Sequence, residues 1–266
     1  MKFDWDDELS QDLLDRWISW ANGLPSLDGL TLDRCITPTR DDVTANELHI
    51  FGDASEMGFG AVSYARFVYP GGSADVKFLI SKSRVAPLKF MTIPSLELNA
   101  AVLAQKAVKV QKEYDINFIR TFYWSDSTTV LSWVKSRFCR FNNYVGNRVG
   151  EILETSSPGD WNYIPTADNP ADDASRGLDP SEFDMQHRWF SGPEFLKHSE
   201  NWPSLPTLPP LEASDPEIRD ATWVGLIQRE DDKIDELIKR KSRIYIIINT
   251  VAYLFRLVGK ERHKRR

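Results

Sequence analysis

Hydrophobic and polar positions change period several times along the chain, and each change marks an element. In residues 5–23, Leu13, Trp17 and Trp20 recur at helical spacing behind a cluster of acids, which predicts an amphipathic helix whose acidic start suits the helix dipole. Gly23, Leu24 and Pro25 end it, and LTLDRCI (30–36) predicts a short strand. From Asn46 the pattern becomes that of a sheet. ELHIFGDAS, GFGAVSYARFVYP and ADVKFLISKSRV read as three strands, with Pro70, Gly71 and Gly72 turning the second into the third, so an antiparallel meander is expected. Pro94 opens a helix whose stripe, Leu96, Ala100, Leu103, Ala107 and Val110, runs to about Glu113.

INFIRTFYW is a fourth strand, parallel to the first if the helix between them is a crossover. Ser127 can cap a further helix with Val130, Leu131 and Val134 inward. Asn142 to Glu154 reads as another helix, WNYIP after Gly159 as a fifth strand, and Pro170 to Arg176 as a closing helix. The order β-β-β-α-β-α-α-β-α over 46–180 predicts an α/β fold. Its mixed five-stranded sheet has three antiparallel strands plus two parallel ones, flanked by helices.

Outside that unit, residues 1–45 read as a connector of one helix and a short strand. Residues 181–230, rich in Pro and Trp, read as a linker with little core of its own. Helices are expected over 217–230 and 232–260, so the terminal extensions are helical and 231–266 forms a basic helical segment. The apolar run Ile244 to Leu257, broken by Asn249 and Arg256, is shorter than the ~20 residues that span a bilayer. A packed or partner-binding helix is expected there, and no membrane partner.

Composition adds limits. With 266 residues, 41% hydrophobic, the chain can bury one sizeable core. Two cysteines, Cys35 and Cys139, give no disulfide framework or CxxC pair and suit a reducing compartment. The acidic N-terminus lacks a secretory signal's apolar core. Net charge is −6, yet residues 233–266 hold eleven Lys/Arg against three Asp/Glu, a local +8 that leaves −14 for the rest. An acidic body still permits a nucleic-acid partner when its carboxylates hold cations.

The chemistry lies in where four acids fall. Asp53 ends the first strand, Glu97 sits in the first turn of the following helix, Asp126 ends the fourth strand and Asp172 starts the last helix. Strand ends and adjacent helix starts of an open α/β sheet line one crevice, so all four can face a common space. Like charges there raise one another's pKa unless cations lie between them. Carboxylate oxygens suit Mg²⁺ or Mn²⁺. Two such ions about 3.5–4 Å apart can activate water and stabilise the leaving oxygen of a phosphodiester. A lone Asp at a strand end is ordinarily a turn former or cap; the ordered set of four is what points to a metal site. Asp168 and Asp173 compete with Asp172 for the fourth place.

The stretches IFGDASEMGFGAVSY, IPSLELNAAVLA, YWSDSTTVLSWV, FNNYVGNRVGEIL and IPTADNPADDASRG resemble the ribonuclease H region of BEL/Pao-type retrotransposon Pol polyproteins. WDDELSQDLLDRWISWANGLP resembles the segment joining reverse transcriptase to that region, and SRIYIIINTVAYLFRLVG the segment leading toward integrase. The resemblance implies a ribonuclease H-like fold and a metal-dependent endonuclease that cuts the RNA strand of RNA/DNA hybrids during reverse transcription. By motif, Asp53, Glu97, Asp126 and Asp172 take the places of its metal ligands and catalytic acids, holding Mg²⁺ or Mn²⁺. Its partners would be the hybrid and the reverse transcriptase and integrase parts of the same polyprotein. Its location would be intracellular, in a cytoplasmic virus-like particle, the nucleus or both. Integrases share the fold, but their glutamate comes last; here Glu97 comes second.

Two departures stand out. Asp173 occupies a position that is apolar in related sequences, and no histidine lies between Asp126 and Asp172, where retroviral relatives carry one. Ser55, Ser127 and Thr128 sit beside the acids and can hydrogen-bond phosphate or a 2′-OH. Lys135, Arg137 and Arg140 can track the DNA strand's phosphates, although an exposed basic helix end accounts for them equally well. The alternative function is a catalytically inactive spacer between the polymerase and integrase parts. No YxDD polymerase motif is present, so a fragment or degraded copy is expected. Asp53-Ala54-Ser55 lacks the Asp-Thr/Ser-Gly that an aspartic protease needs.

Overall fold

A computed structural model describes residues 6, 8–38, 40–108, 116–136, 141–198, 200, 202–211 and 217–218. The chain divides into a unit spanning Met1–Asp220 and a second spanning Ala221–Arg266. The second unit lies outside the described residues, and with it the expected C-terminal helix, the apolar run 244–257 and nearly all of 217–230. Arg137, Cys139, Arg140 and the stretch 109–115 lie outside them as well.

The sheet consists of β1 (Ala45–Ala54), β2 (Gly58–Val68), β3 (Ala74–Val85), β4 (Arg120–Ser125) and β5 (Trp161–Tyr163), in the order β3-β2-β1-β4-β5. β1 pairs antiparallel with β2, and β2 with β3, whereas β1–β4 and β4–β5 are parallel. The sheet is therefore mixed as expected. A continuous buried run through β1, Leu48 to Asp53, fits a central strand covered on both faces.

Alternation along β1 separates two cores. Leu48 and Ile50 face α2 (Ile93–Ala107), α3 (Thr128–Lys135) and α4 (Asn143–Leu153), where Leu98, Leu131, Trp133, Val145 and Ile152 close the larger core. Ser127 caps α3 by accepting from the Val130 N–H, and Asn142 caps α4 through Val145. Phe51 faces the other way, with Val62, Tyr64, Phe122 and Trp124.

That second face corrects the expected linker. Within 181–211 the chain returns over the sheet, with a short helix α6 (Arg188–Ser191) following α5 (Ala171–Arg176). Trp189, Phe195, Leu196 and Trp202 pack on the aromatic face. Tyr64 Oη donates to the Trp189 carbonyl at 2.8 Å, Arg66 Nε to the Leu196 carbonyl at 2.6 Å, and His198 bridges to Ser73. An apolar sheet face must be covered by something, and the widely spaced aromatics of this Pro-rich stretch cover it without forming a long element.

The N-terminal helix α1 spans Gln11–Gly23 and continues into a 3₁₀ turn, Leu24–Gly29. It buries no residue; Trp17 and Trp20 pack on each other, centroids 5.2 Å apart, and are 57% and 43% exposed. Residues 30–36 form no strand. They lie beside β3 without pairing to it, joined by Lys77–Asp33 at 3.7 Å. Cys35 is free and exposed. Among the described residues no helix is long and apolar enough to cross a membrane.

Candidate active site

The acids gather at the edge where β1 and β4 end. Parallel pairing sets Gly52 against Ser125, so Asp53 and Asp126, each one residue further on, leave the sheet side by side. Neighbouring strands lie about 4.8 Å apart. Asp53 is 6% exposed and Asp126 half-buried.

Glu97 comes from α2, which packs across β1 and β2. It is the helix's fifth residue, one position deeper than expected, because the helix starts at Ile93 and not at Pro94. Ser127 ties it to the turn after β4, donating to Glu97 Oε2 at 2.5 Å.

Asp172 rides on α5, which sits unusually close to the sheet. A Cβ on Gly60 of β2 would meet Ala174 Cβ at 2.5 Å, so glycine there is what lets the helix down. Asn169 sets its start: Nδ2 donates to the Gly52 carbonyl at 3.2 Å, and Oδ1 accepts from the Ala171 N–H at 3.1 Å. Ser175 Oγ donates to Asp53 Oδ2, and Ser55 Oγ donates to the Ser175 carbonyl at 2.6 Å.

The electrostatics follow from this crowding. Asp53 is pushed up to about 7, first by burial and then by the Asp126 charge, with Asp172 adding and the Ser175 hydroxyl opposing. Burial also raises Glu97, with Asp126 adding and Ser127 opposing. The Asp126 charge thus reaches both neighbours. Asp126 Oδ2 accepts from Thr166 Oγ1 at 2.7 Å, and Asp172 Oδ1 pairs with Arg176 Nε at 2.5 Å.

Donor chemistry fits a hard divalent cation: all four ligand candidates are carboxylates, and their mutual charge is what a cation would relieve. Each now points at its own hydroxyl or guanidinium, and among the described residues no three His, Cys, Asp or Glu side chains form a ready cluster for one ion.

The rival acids separate. Asp173 is buried and gripped by Arg188 in a two-point pair, Nε to Oδ2 at 2.9 Å and Nη2 to Oδ1 at 2.6 Å, which ties α6 to α5. Asp168 is exposed in the preceding 3₁₀ turn. Asp172 keeps a second, looser cation, Arg188, at 4.0 Å.

The remaining candidates divide. Ser127 touches an acid directly and Thr128 opens α3, whereas the Ser55 hydroxyl is engaged within its own turn, accepting from Met57 N–H at 3.1 Å. Lys135 Nζ donates to the Pro158 carbonyl at 2.9 Å, and burial holds it below the usual lysine range. Asn169, Ser175, Thr166 and Arg188 were missed by sequence reasoning. Of these only Asn169 leaves a signal, an Asn-Pro directly before a helix start.

A mixed sheet of this order, with acids at the ends of its two central parallel strands, defines a ribonuclease H-like domain. Residues 1–127, just under half of the chain, match the family described as the Pao retrotransposon-like RNaseH-like domain; the matched stretch takes in Asp53, Glu97 and Asp126 but not Asp172. No curated protein matches the sequence. Among solved structures, RNase H1 from the archaeon Halobacterium salinarum is 15% identical with a TM-score of 0.33, covering 50% of this chain and 99% of its own. The N-terminal RNase H domain of a Mycobacterium tuberculosis protein, fused to maltose-binding protein, gives 15%, 0.33, 50% and 95%. LC11-RNase H1 in complex with an RNA/DNA hybrid gives 12%, 0.35, 51% and 97%.

Proposed function

We propose that this chain is a metal-dependent endonuclease that cleaves the RNA strand of RNA/DNA hybrids, working as part of a retrotransposon Pol polyprotein beside reverse transcriptase and integrase parts. One observation carries the reading: the Asp126 charge acts on both Asp53 and Glu97 at the end of paired parallel strands, with Asp172 adding to the load on Asp53.

Asp53, Glu97, Asp126 and Asp172 would hold Mg²⁺ or Mn²⁺, in two sites. The bound ions would lower the pKa of an attacking water and stabilise the leaving oxygen. Asp53 and Asp126 stand on the rigid sheet edge and fix the site's centre. Glu97 and Asp172 arrive from helices and close it from either side. Ser127 and Thr166 hold the Glu97 and Asp126 carboxylates in place through their hydroxyls. Arg176 neutralises Asp172 until a cation takes its place. Thr128, beside Ser127, has a hydroxyl with no side-chain partner among the described residues and would meet a phosphate or 2′-OH.

The test is cleavage of a labelled RNA/DNA hybrid by the purified chain. Cleavage should need Mg²⁺ or Mn²⁺, stop in excess EDTA and vanish in Asp126→Asn. Cleavage that persists in EDTA overturns the mechanism. A folded chain that never cleaves favours the spacer.

A further inference from the structure

Arg188 stands between the aromatic cover and the acids. Its neighbours fix its backbone to the sheet. Trp189 packs on the aromatic face, and its carbonyl accepts from Tyr64 Oη at 2.8 Å. The Trp189 N–H donates to His187 Nδ1 at 3.2 Å, which caps α6. The Arg188 side chain reaches the turn and the helix behind the acids. Nε and Nη2 donate to the two Asp173 oxygens at 2.9 and 2.6 Å, and Nη1 donates to the Ala167 carbonyl at 2.6 Å. One planar guanidinium thus joins the 3₁₀ turn Thr166–Asp168 to α5.

Three of the four acids lean on those two pieces. Thr166, in the turn, donates to Asp126. Asp172 is itself part of α5, and Ser175 of the same helix donates to Asp53. Asn169 and Ser55 hold α5 from the sheet side. The helix has six residues, fewer than two turns, and so short a helix does not keep its shape alone. Its place is set by what it is tied to.

Two plainer roles fit Arg188 less well. Fastening the cover does not need it, since Trp189, Phe195, Leu196 and Trp202 already pack on the sheet. Neutralising Asp172 would call for a closer approach than 4.0 Å by a side chain that is one-third exposed, where ion pairs are weak. Its three close bonds are charge-assisted and go to the frame around the acids, not to the acids themselves.

We propose that Arg188 is a positioning residue for the cation site: it locks the 166–168 turn to α5, so that Asp126, Asp172 and Asp53 can close on a divalent ion. The assignment rests on the reading of the four acids as ligands and deepens it. It puts a determinant of the site beyond 46–180, in the stretch whose pattern predicts a linker. The sign of its effect separates it from a charge effect. A cation that merely sits near Asp172 competes with metal, so its removal would tighten metal binding. Removing a group that orients ligands weakens binding, typically about 10–100-fold.

The test is Mn²⁺ binding to the full chain without nucleic acid, read from the paramagnetic resonance signal of free Mn²⁺, beside amide hydrogen exchange of the metal-free chain. Arg188→Gln should weaken Mn²⁺ binding about tenfold or more. It should also speed exchange over 166–176 well beyond any change in β1 and β2. Arg188→Lys, which keeps the charge but not the fork, should recover only part of both. Trp202→Leu should lower the melting temperature and leave Mn²⁺ binding as it is. Affinity that holds or tightens in Arg188→Gln, or exchange that rises evenly over the chain, overturns the proposal. If Arg188→Gln does not fold, wild-type affinity in Arg188→Lys overturns it instead. A wild type that binds no Mn²⁺ rejects the metal reading, and exchange over 166–176 then decides by itself whether Arg188 holds the frame.

Discussion

One buried histidine should withdraw stability as the pH falls, an effect that shows once the opposing Asp53 carboxyl is removed. His49 is fully buried on the aromatic face, stacked on Phe122 at 4.8 Å with Trp202 edge-on at 5.4 Å. Its Nδ1 accepts from Trp124 Nε1 at 3.1 Å and its Nε2 faces Glu47 at 3.4 Å, which makes it the neutral Nε2–H tautomer. A second proton would have to displace the Trp124 donor inside an apolar layer. Burial accordingly depresses His49 from 6.5 to about 4, only partly opposed by Glu47. The unfolded chain takes a proton below about pH 6.5 that the native chain refuses until about 4. Stability is thus whole above 6.5 and lost as pH falls through that window. The linkage gives about 2 kcal/mol lost by pH 5, approaching ~3 kcal/mol at the acid limit.

Asp53 works the other way. Its native value, about 7, lies above that of the unfolded chain, so its contribution favours the native state on the acid side and is lost as pH rises. The two nearly cancel in the wild type. The His49 effect should therefore be read in an Asp53→Asn background, in EDTA, by urea unfolding followed through tryptophan fluorescence at pH 8, 6.5 and 5. Glu97, also raised by burial, opposes the loss equally in both variants, so the reading is a difference: Asp53→Asn should lose about 2 kcal/mol more between pH 8 and 5 than Asp53→Asn/His49→Gln. Glu47, held low by Arg66 and His49, acts below this window. Equal pH slopes in the two variants would refute the neutral-histidine account.

Further outcomes are expected. A chain truncated at Gly177 loses Trp189, Phe195, Leu196 and Trp202, roughly 1.5–3 kcal/mol each, and should aggregate or bind a hydrophobic dye rather than melt cooperatively. Gly60→Ala forces α5 off β2 and should cost about 1–3 kcal/mol, with hybrid cleavage falling further than the melting temperature alone explains. Asp173→Asn should destabilise by about 1–3 kcal/mol, discounted because Arg188 is one-third exposed. Asp172→Asn should leave stability within about 1 kcal/mol and abolish cleavage; a reversal of that pair on a denaturation curve and a cleavage gel would exchange their roles.

Legibility in the sequence tracked periodicity. The five strands and the helices between them announce themselves because each buries a regular face, and Asp53 and Asp126 could be placed because a strand's end is visible from its pattern. Residues 188–202 defeat that reading: their apolar side chains are few and unevenly spaced, and what they cover is decided by a sheet more than a hundred residues away. The stripe on α1 shows the converse, since Trp17 and Trp20 have helical spacing and still face solvent. Nothing local in the sequence shows that Arg188, fifteen residues on, grips Asp173, and the depth of Glu97 needed the actual first turn of α2.

The cover over the aromatic face has a consequence for how the chain is made. The strand bearing Phe51 leaves the ribosome about 150 residues before Trp202 does. From the emergence of β5 until Trp202 follows, the sheet has one wet, sticky side, and Asp53 waits on it without the helix that Arg188 will anchor. A newborn chain therefore cannot assemble its acidic edge early, and any cleft in the peptide between α5 and Trp202 would return the finished protein to that half-built state.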